Sequence, residues 1–231
     1  MFVPGVDRDD RTHDYYDRYG AVLSWARVKE RSRIAEIGCW TGRFLHYLDH
    51  TANPDKIVGF DIDGPWLDEA RKATPHITVI GCDSLSEPIQ VVNERFDAIF
   101  MLDTIEHVPR GTEIEVLSNV VALLSEDGQL ILSTGAAGLS AVADPAWLLV
   151  GHRHYSRRRL TRICNLAGLE VEEVGYSGNA WDFLTVDLFY LEKHILRRNN
   201  AKNSLLERCR PEIYSQHRQT SNKIWIRARM R

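Results

Sequence analysis

Hydrophobic residues from Arg33 onward fall into short apolar runs that alternate with amphipathic stretches. The runs have the length and residue types of β-strands, and the stretches between them repeat apolar residues at helical spacing. The predicted strands are Arg33–Ile37, Lys56–Phe60, His76–Ile80, Phe96–Met101, Gln129–Ser133, Leu169–Val174 and Lys223–Arg227. The predicted helices are Gly42–Asp49, Pro65–Ala73, Gly111–Leu124, a helix from Ser156 to Ala167, and Ala180–Leu196.

This alternation predicts an α/β fold with a mostly parallel, doubly wound sheet. The nearly all-apolar run Phe96–Met101 is typical of a central strand that is buried on both faces. We expect residues 1–30 to form a helical lead and residues 31–231 to form a single domain. The Gly- and Ala-rich segment 134–155 is expected to overhang the ligand side of the sheet, where loops commonly carry function.

Composition narrows the class of protein. The chain has 231 residues, of which 44% are hydrophobic and 26% are charged, as is usual for one globular domain. No apolar run approaches the roughly 20 residues that a membrane-spanning helix needs, and the first residues do not read as a signal peptide. Four scattered cysteines, Cys39, Cys82, Cys164 and Cys209, form no zinc-binding pair. We therefore expect free thiols, a cytoplasmic location and no metal site.

Charge is distributed unevenly along the chain. Residues 193–231 carry 11 Lys and Arg against two acids, Glu207 and Glu212, whereas the preceding residues are acidic overall. This basic segment is either an ordinary solvated surface or a contact for an anionic partner, such as a peripheral membrane face.

Polar and glycine residues follow the predicted strands at the edge where open α/β sheets bind ligands. Gly38 and Gly42 flank a turn after the first strand, where the backbone can approach a ligand closely. Asp61 closes the second strand, 19 residues beyond Gly42, where a carboxylate can accept hydrogen bonds from ribose hydroxyls. Asp83 closes the third strand and could accept from an adenine amine. Both aspartates could instead be helix caps or turn residues.

Several segments appear together in a recognisable order. They are IAEIGCWTGRFL, VGFDID, GCDS, FDAIFMLDTIEHV and LLSEDGQLILSTG, followed by HRHYSRRRLTRICNLAGLEVEEV. Together they resemble the class I S-adenosylmethionine-dependent methyltransferases, especially the broad group related to the ubiquinone and menaquinone biosynthesis enzymes. The resemblance implies a Rossmann-like sheet of seven strands with helices on both faces, an antiparallel last strand, and S-adenosylmethionine as cofactor.

The resemblance also implies roles for individual residues. Glu36 and Gly38 would lie against the methionine amino end, within a loop that includes Cys39, Trp40 and Gly42. Asp61 would hold the ribose, Ile62 would lie beside the adenine, Asp83 and Ser84 would contact the adenine, and Met101 and Leu102 would line the cofactor wall. Trp40 replaces the middle glycine of the family's loop, so we expect its side chain to point away from the ligand, over the pocket rim.

Methyl transfer to a hydroxyl is assisted by a general base. The candidates are His107, His152, His154, Asp103 and Tyr155, among which we select His107 and His154 as the catalytic prediction. Each of the two histidines could instead only order its loop. Trp147, Trp181 and Phe183 could form an apolar acceptor wall or belong to the core. No Asn-Pro-Pro-Tyr or Asp-Pro-Pro-Tyr run follows the fourth strand, which argues against methylation of nucleic-acid bases.

Three functions follow from these patterns. The first is methyl transfer to a small molecule, on an oxygen of a sugar, a lipid-linked intermediate, a quinone precursor or another metabolite. The second is a binding module that holds S-adenosylmethionine without catalysis. The third, an NAD-dependent oxidoreductase, conflicts with the glycine spacing, which is E-x-G-x-x-x-G where G-x-G-x-x-G is expected. The acceptor and the oligomeric state stay open.

Overall fold

The computed structural model describes residues 13–87, 89, 94–138, 152–177 and 223–231. Several predictions lie outside these residues: the helix Ala180–Leu196, most of the overhanging segment 134–155, and the aromatic residues Trp147, Trp181 and Phe183. The part of the basic segment that precedes Lys223 also lies outside them.

Seven strands form one sheet in the order β3-β2-β1-β4-β5-β7-β6. Their bounds are Arg33–Ile37 (β1), Lys56–Ile62 (β2), Thr78–Cys82 (β3), Phe96–Leu102 (β4), Leu124–Gly135 (β5), Leu169–Ser177 (β6) and Lys223–Met230 (β7). The first five strands pair in parallel, and β7 is antiparallel to both β5 and β6. The predicted seven-stranded, doubly wound fold with an antiparallel last strand is confirmed.

Five helices accompany these strands in the described residues. They are His13–Ala26 (α1), Arg43–Thr51 (α2), Pro65–Ala73 (α3), Glu113–Leu123 (α4) and Arg157–Leu166 (α5). In the part of the chain that the structure describes, none of them is long and apolar enough to cross a bilayer. Because β1 to β5 all pair in parallel, their carboxyl ends share one edge of the sheet.

The sheet buries a hydrophobic core on each of its faces. One core contains Val22 of α1, Phe44 of α2 and Leu67 of α3. The other contains Val116 of α4 and Leu160 of α5. Helices on both faces explain why the central strands are apolar at consecutive positions: along β4, successive side chains enter opposite cores.

The strand β7 uses cations of the basic segment within the domain. Arg227 Nη2 lies 2.8 Å from Glu173 Oε2, and Arg229 Nε lies 3.1 Å from Glu172 Oε1. The acids belong to the neighbouring strand β6, so these charges pair across the sheet. This part of the basic segment is therefore a strand of the sheet with paired charges, and the interpretation of the segment as a solvated tail does not apply to it.

Candidate functional site

A cavity of about 800 Å³ lies at the carboxyl ends of β1, β2, β3 and β4. Ligands of open α/β sheets bind at this edge. Predicted site residues in its lining are Glu36, Gly38, Cys39, Trp40, Asp61, Ile62, Asp83, Ser84, Leu102 and His107. Residues up to 71 positions apart in the sequence therefore meet in one cavity.

The loop between β1 and α2 turns back onto the end of β2. The N–H groups of Gly38 and Cys39 donate to the Phe60 carbonyl at 2.7 and 3.0 Å. Gly38 has a φ of +81°, and a Cβ atom at this position would lie 2.2 Å from Thr104 Oγ1. Glycine is required here because the left-handed backbone and the loop after β4 both exclude a side chain.

Trp40 occupies the middle of this loop with a φ of +45°. Its side chain is at the solvent side of the cavity, where the residue is 55% exposed and the guanidinium of Arg43 lies 5.8 Å from the indole centroid. Its backbone N–H donates to Asp61 Oδ2 at 2.7 Å. A tryptophan at this position is therefore compatible with a backbone contact between the loop and Asp61.

The carboxylate of Asp61 is held by backbone groups on both sides. Oδ2 accepts from Trp40, and Oδ1 accepts from the N–H of Ile62 at 2.8 Å. Burial raises the pKa of Asp61, and the two backbone N–H groups and the Trp66 indole N–H oppose this shift. Each oxygen has lone pairs left after its backbone bond, so the oriented carboxylate can accept two donors from a ligand.

Glu36 is a buried acid, at 5% exposure, with an incomplete set of partners. Its Oε2 atom has no hydrogen-bond partner among the described residues. Burial and then the nearby charge of Asp61 raise the pKa of Glu36, whereas a backbone N–H from Leu45 lowers it. A buried, unpaired carboxylate oxygen is costly, so a cationic or N–H-bearing ligand would stabilise this corner of the cavity.

Two further buried polar atoms in the lining also make no hydrogen bond. They are Thr41 Oγ1 and Trp66 Nε1. Neither residue is among the site residues that the sequence predicts. Thr41 lies between Trp40 and Gly42 in the glycine loop, where nothing in the sequence distinguishes it. Trp66 follows Pro65 in the first turn of α3, where it has the pattern of an apolar residue on the buried face of an amphipathic helix. A tryptophan five residues beyond Asp61, in the first turn of the helix that follows the strand, is the signal that could have identified it.

The remaining adenine-side predictions lie where β2 and β3 end. Ile62 is 42% exposed within the lining, as expected for an apolar residue that a ligand would cover. Asp83 is exposed, and Ser84 is partly buried with its hydroxyl 2.7 Å from that of Ser86. Leu85, which follows, is buried and also lines the cavity.

Three predicted site residues are absent from the lining that the described residues form. Met101 is fully buried in the sheet core, because its side chain enters the face opposite to that of its neighbours. A Cβ atom at Gly42 would lie 3.2 Å from the Cα of Ala70, so this glycine permits close packing of α2 on α3. His154 lies beside Gly135.

His107 is exposed to the cavity, in the loop between β4 and α4. Its ring meets the ring of His152 edge to face, with centroids 4.4 Å apart. Partial burial lowers the pKa of His107, and the charge of Arg153 acts in the same direction, whereas Asp103 and Asp61 oppose the shift. The ring is therefore biased towards its neutral form, which can accept a proton.

A cluster of charged groups lies beside this histidine. The carboxylate of Asp103 contacts the ammonium of Lys223 and accepts from Ser133 Oγ at 3.1 Å. Glu106 is buried and accepts from Thr134 Oγ1 at 2.8 Å. Burial, followed by the charge of Asp103, raises the pKa of Glu106 to about 8. Asp103 also lines the cavity, but its carboxylate already contacts Lys223 and accepts a hydrogen bond from Ser133. It is therefore a weaker candidate for a general base than His107.

Tyr155, also considered as a base, does not face the cavity. It is fully buried, and its hydroxyl is within 3.2 Å of the Ile105 carbonyl and 3.3 Å of Glu113 Oε1. Burial raises the pKa of this hydroxyl. Its role is to support the loop after β4.

One family model matches the sequence of this chain, and solved structures of methyltransferases share its fold. A family described as the methyltransferase domain matches residues 10–174. A search of curated proteins found no match.

Three solved structures illustrate the likeness in fold. A TehB-like SAM-dependent methyltransferase from Corynebacterium glutamicum is 17% identical, with 97% of this chain and 100% of that chain covered and a TM-score of 0.60. An S-adenosylmethionine-dependent methyltransferase from Mesorhizobium loti is 18% identical, with 92% and 97% covered and a TM-score of 0.64. Geranyl diphosphate C-methyltransferase from Streptomyces coelicolor is 14% identical, with 93% and 78% covered and a TM-score of 0.63.

Proposed function

Since the chain belongs to the methyltransferase domain family and is a class I S-adenosylmethionine-dependent methyltransferase, we propose that it methylates an oxygen of a small-molecule acceptor. The observation that carries the cofactor part of this proposal is the presence, in a single cavity, of a buried carboxylate with one unpartnered oxygen, Glu36, and an oriented carboxylate, Asp61. S-adenosylmethionine offers a cationic amino group at one end and a ribose diol further along. These two carboxylates have the chemistry to receive them.

The chain's own groups fit the cofactor from end to end. Glu36 would accept from the amino group beside Gly38, where a glycine keeps the loop clear of side chains. Asp61 would accept from the ribose hydroxyls, through the lone pairs that its backbone contacts leave free. When bound, the cofactor supplies a methyl group on a sulfonium centre, which needs no further activation.

The adenine and the remaining length of the cofactor would lie against the other end of the cavity. Ile62, Asp83 and Ser84 would border the adenine, and Leu102 would form the wall near the methyl end. Because the protein mainly aligns the reacting groups in such a displacement, positioning can supply about 7–11 kcal/mol of the barrier.

For the acceptor we infer an alcohol or phenol, such as a sugar, a lipid-linked intermediate or a quinone precursor like those of the ubiquinone and menaquinone enzymes. His107 supports this class, because a neutral imidazole at the cavity surface can take the proton that a hydroxyl loses. We assign the reaction to a reducing, cytoplasmic compartment, consistent with the free thiols of Cys39, Cys82 and Cys164.

For the basic segment we retain the hypothesis of an anionic contact, now restricted to the cations of residues 193–222 and to Arg231, which is exposed. Lys223, Arg227 and Arg229 already bind carboxylates of the domain. Sedimentation with anionic and neutral vesicles tests this hypothesis: equal binding to both would remove it.

Calorimetry with S-adenosylhomocysteine tests the cofactor assignment. We expect tight binding by the wild-type protein, no binding of NAD, and at least about a tenfold weaker affinity in Asp61→Ala, since hydrogen bonds to a charged group contribute about 1.5–3 kcal/mol each. Asp68→Ala, on the exposed side of α3, is the matched control and should bind like the wild type. Binding of NAD alone would overturn the proposal.

The second candidate, a binding module without catalysis, gains support from Trp40, whose exposed indole departs from the family's loop. An acceptor panel of alcohols and phenols separates the two functions. Tight binding of S-adenosylhomocysteine together with no turnover of any acceptor would favour the module.

A further inference from the structure

The indole N–H of Trp66 is a buried donor without a hydrogen bond in the lining of the cavity. Buried tryptophan N–H groups usually find an acceptor, and leaving one unsatisfied is costly. This side chain is held in place by its surroundings, since it packs against the core formed with α1, α2 and α3. A donor that is fixed, buried and unpaired at a cavity wall indicates an acceptor that arrives with a ligand.

The backbone of the turn before α3 determines where this indole lies. A Cβ atom at Gly64 would be 2.4 Å from Cζ2 of Trp66, so the glycine makes room for the ring to lie back over the turn. The ring thereby comes close to Asp61. Its N–H acts on that carboxyl as a weak hydrogen-bond donor and lowers its pKa, but the geometry of the contact falls short of a full hydrogen bond.

The hydrogen-bond requirements of a ribose diol match this arrangement. Each hydroxyl has one hydrogen to donate and lone pairs to accept with. The carboxylate of Asp61 can accept the hydrogens that the diol donates. The N–H groups of Trp40 and Ile62 already donate to this carboxylate, so they are not available as donors to the diol oxygens. Among the described residues, Thr41 and Trp66 are the lining residues that offer a buried side-chain donor with no acceptor. The indole N–H of Trp66 is the one of the two that acts on the carboxyl of Asp61.

We propose that Trp66 is a cofactor-binding residue whose indole N–H donates a hydrogen bond to a ribose hydroxyl of the cofactor, next to Asp61. The pair would recognise the diol from both sides, with the carboxylate as acceptor and the indole as donor. This inference rests on the proposed cofactor site and adds to it a polar contact that the glycine loop and the acidic residues do not supply.

The test compares wild-type protein and Trp66→Phe by calorimetry with two ligands: S-adenosylhomocysteine and its analogue without the ribose hydroxyls. Trp66→Phe should bind S-adenosylhomocysteine about 3- to 10-fold more weakly, as expected for one hydrogen bond between neutral groups. For the analogue, wild type and variant should have equal affinities. Trp25→Phe is the matched control, because that indole donates to Glu173, away from the cavity.

A second substitution separates the N–H group from the size of the ring. Incorporation of 3-benzothienylalanine at position 66 replaces only the N–H by sulfur, and it keeps the test decisive where Trp66→Phe fails to fold. It should reproduce the loss for S-adenosylhomocysteine.

Two results would overturn the inference. One is an unchanged affinity for S-adenosylhomocysteine in both variants, and the other is an equal loss for S-adenosylhomocysteine and for the analogue, which would place the N–H contact elsewhere on the ligand. Failure of the wild-type protein to bind S-adenosylhomocysteine is a different result, which would count against the proposed function itself.

Discussion

Arg153 and Glu113 form a buried ion pair, in which Nη1 donates to Oε1 at 2.8 Å and each side chain is 7% exposed. The same guanidinium donates to the carbonyls of Ile105, at 2.8 Å, and Glu106, at 3.2 Å, and contacts that of Val108. Arginine presents its N–H groups in a fixed fork, so one side chain can hold several carbonyls. Arg153 thereby fixes the loop after β4, from which His107 faces the cavity.

Replacement of Arg153 by methionine should therefore be strongly destabilising. Removing one partner of a buried ion pair leaves a buried charge uncompensated, at a cost of about 3–5 kcal/mol. Urea unfolding at constant pH measures the loss. Arg159→Met is the matched control: Arg159 also contacts Glu113, at 3.2 Å, but is 53% exposed, so its loss should stay within about 1 kcal/mol. A loss within about 1 kcal/mol in Arg153→Met as well would show that the loop does not depend on Arg153.

Gly38→Ala should destabilise the protein more than Gly111→Ala. Both glycines have positive φ, +81° and +93°, so an alanine at either position costs about 1–2 kcal/mol in backbone strain. A Cβ at Gly38 would also collide with Thr104, whereas nothing lies within 4 Å of the position at Gly111. Thermal unfolding compares the two variants. Equal melting temperatures would mean that the two loops at Gly38 and Thr104 can separate without cost.

Glu106 should make stability depend on pH. Its pKa is about 8 in the folded protein and near 4.3 in an unfolded chain. At a pH between these two pKa values, the folded state holds a proton on Glu106 that the unfolded state lacks. The free energy of unfolding therefore falls as the pH rises from about 5 to about 8.

Glu106→Gln removes this titration. The stability of the variant relative to wild type should increase over the same range of pH, as measured by urea unfolding at several pH values. Parallel pH curves for the two proteins would contradict the prediction.

His107→Asn should reduce kcat by about 100-fold or more if the histidine is the general base. Because the pKa of His107 is lowered, the rate should be lost only when the pH falls below the ordinary range of histidine, about 6.5. Turnover against pH with a methylated alcohol or phenol checks this, and calorimetry with S-adenosylhomocysteine should give an unchanged affinity. His154→Asn is the comparison: the larger loss in that variant would assign the base to His154.

Local patterns in the sequence were enough for most of the fold and for the part of the cavity lining that lies at the ends of β1, β2 and β3. Apolar runs, helical repeats and the positions of Gly38, Asp61 and Asp83 at strand ends depend on neighbours a few residues away. Parallel strands then bring those ends to one edge of the sheet. Residues of the cavity lining can therefore be predicted from the strand ends without knowledge of how the helices pack.

Other features depended on strand order and on which face a side chain enters. Met101 and Leu102 are equivalent in the sequence, yet only Leu102 lines the cavity, because successive side chains of a strand point to opposite faces. Asp103 meets Lys223 across 120 residues because β7 inserts between β5 and β6.

The sequence by itself determined which elements form and which strand ends carry glycine or acid, because those signals act over one or two turns of chain. The tertiary structure decided which distant groups become partners: Arg153 with Glu113, and Trp66 with the neighbourhood of Asp61. Such pairings depend on how the elements pack in three dimensions. Whether a charge is buried, or an indole N–H lacks an acceptor, is determined only by that packing.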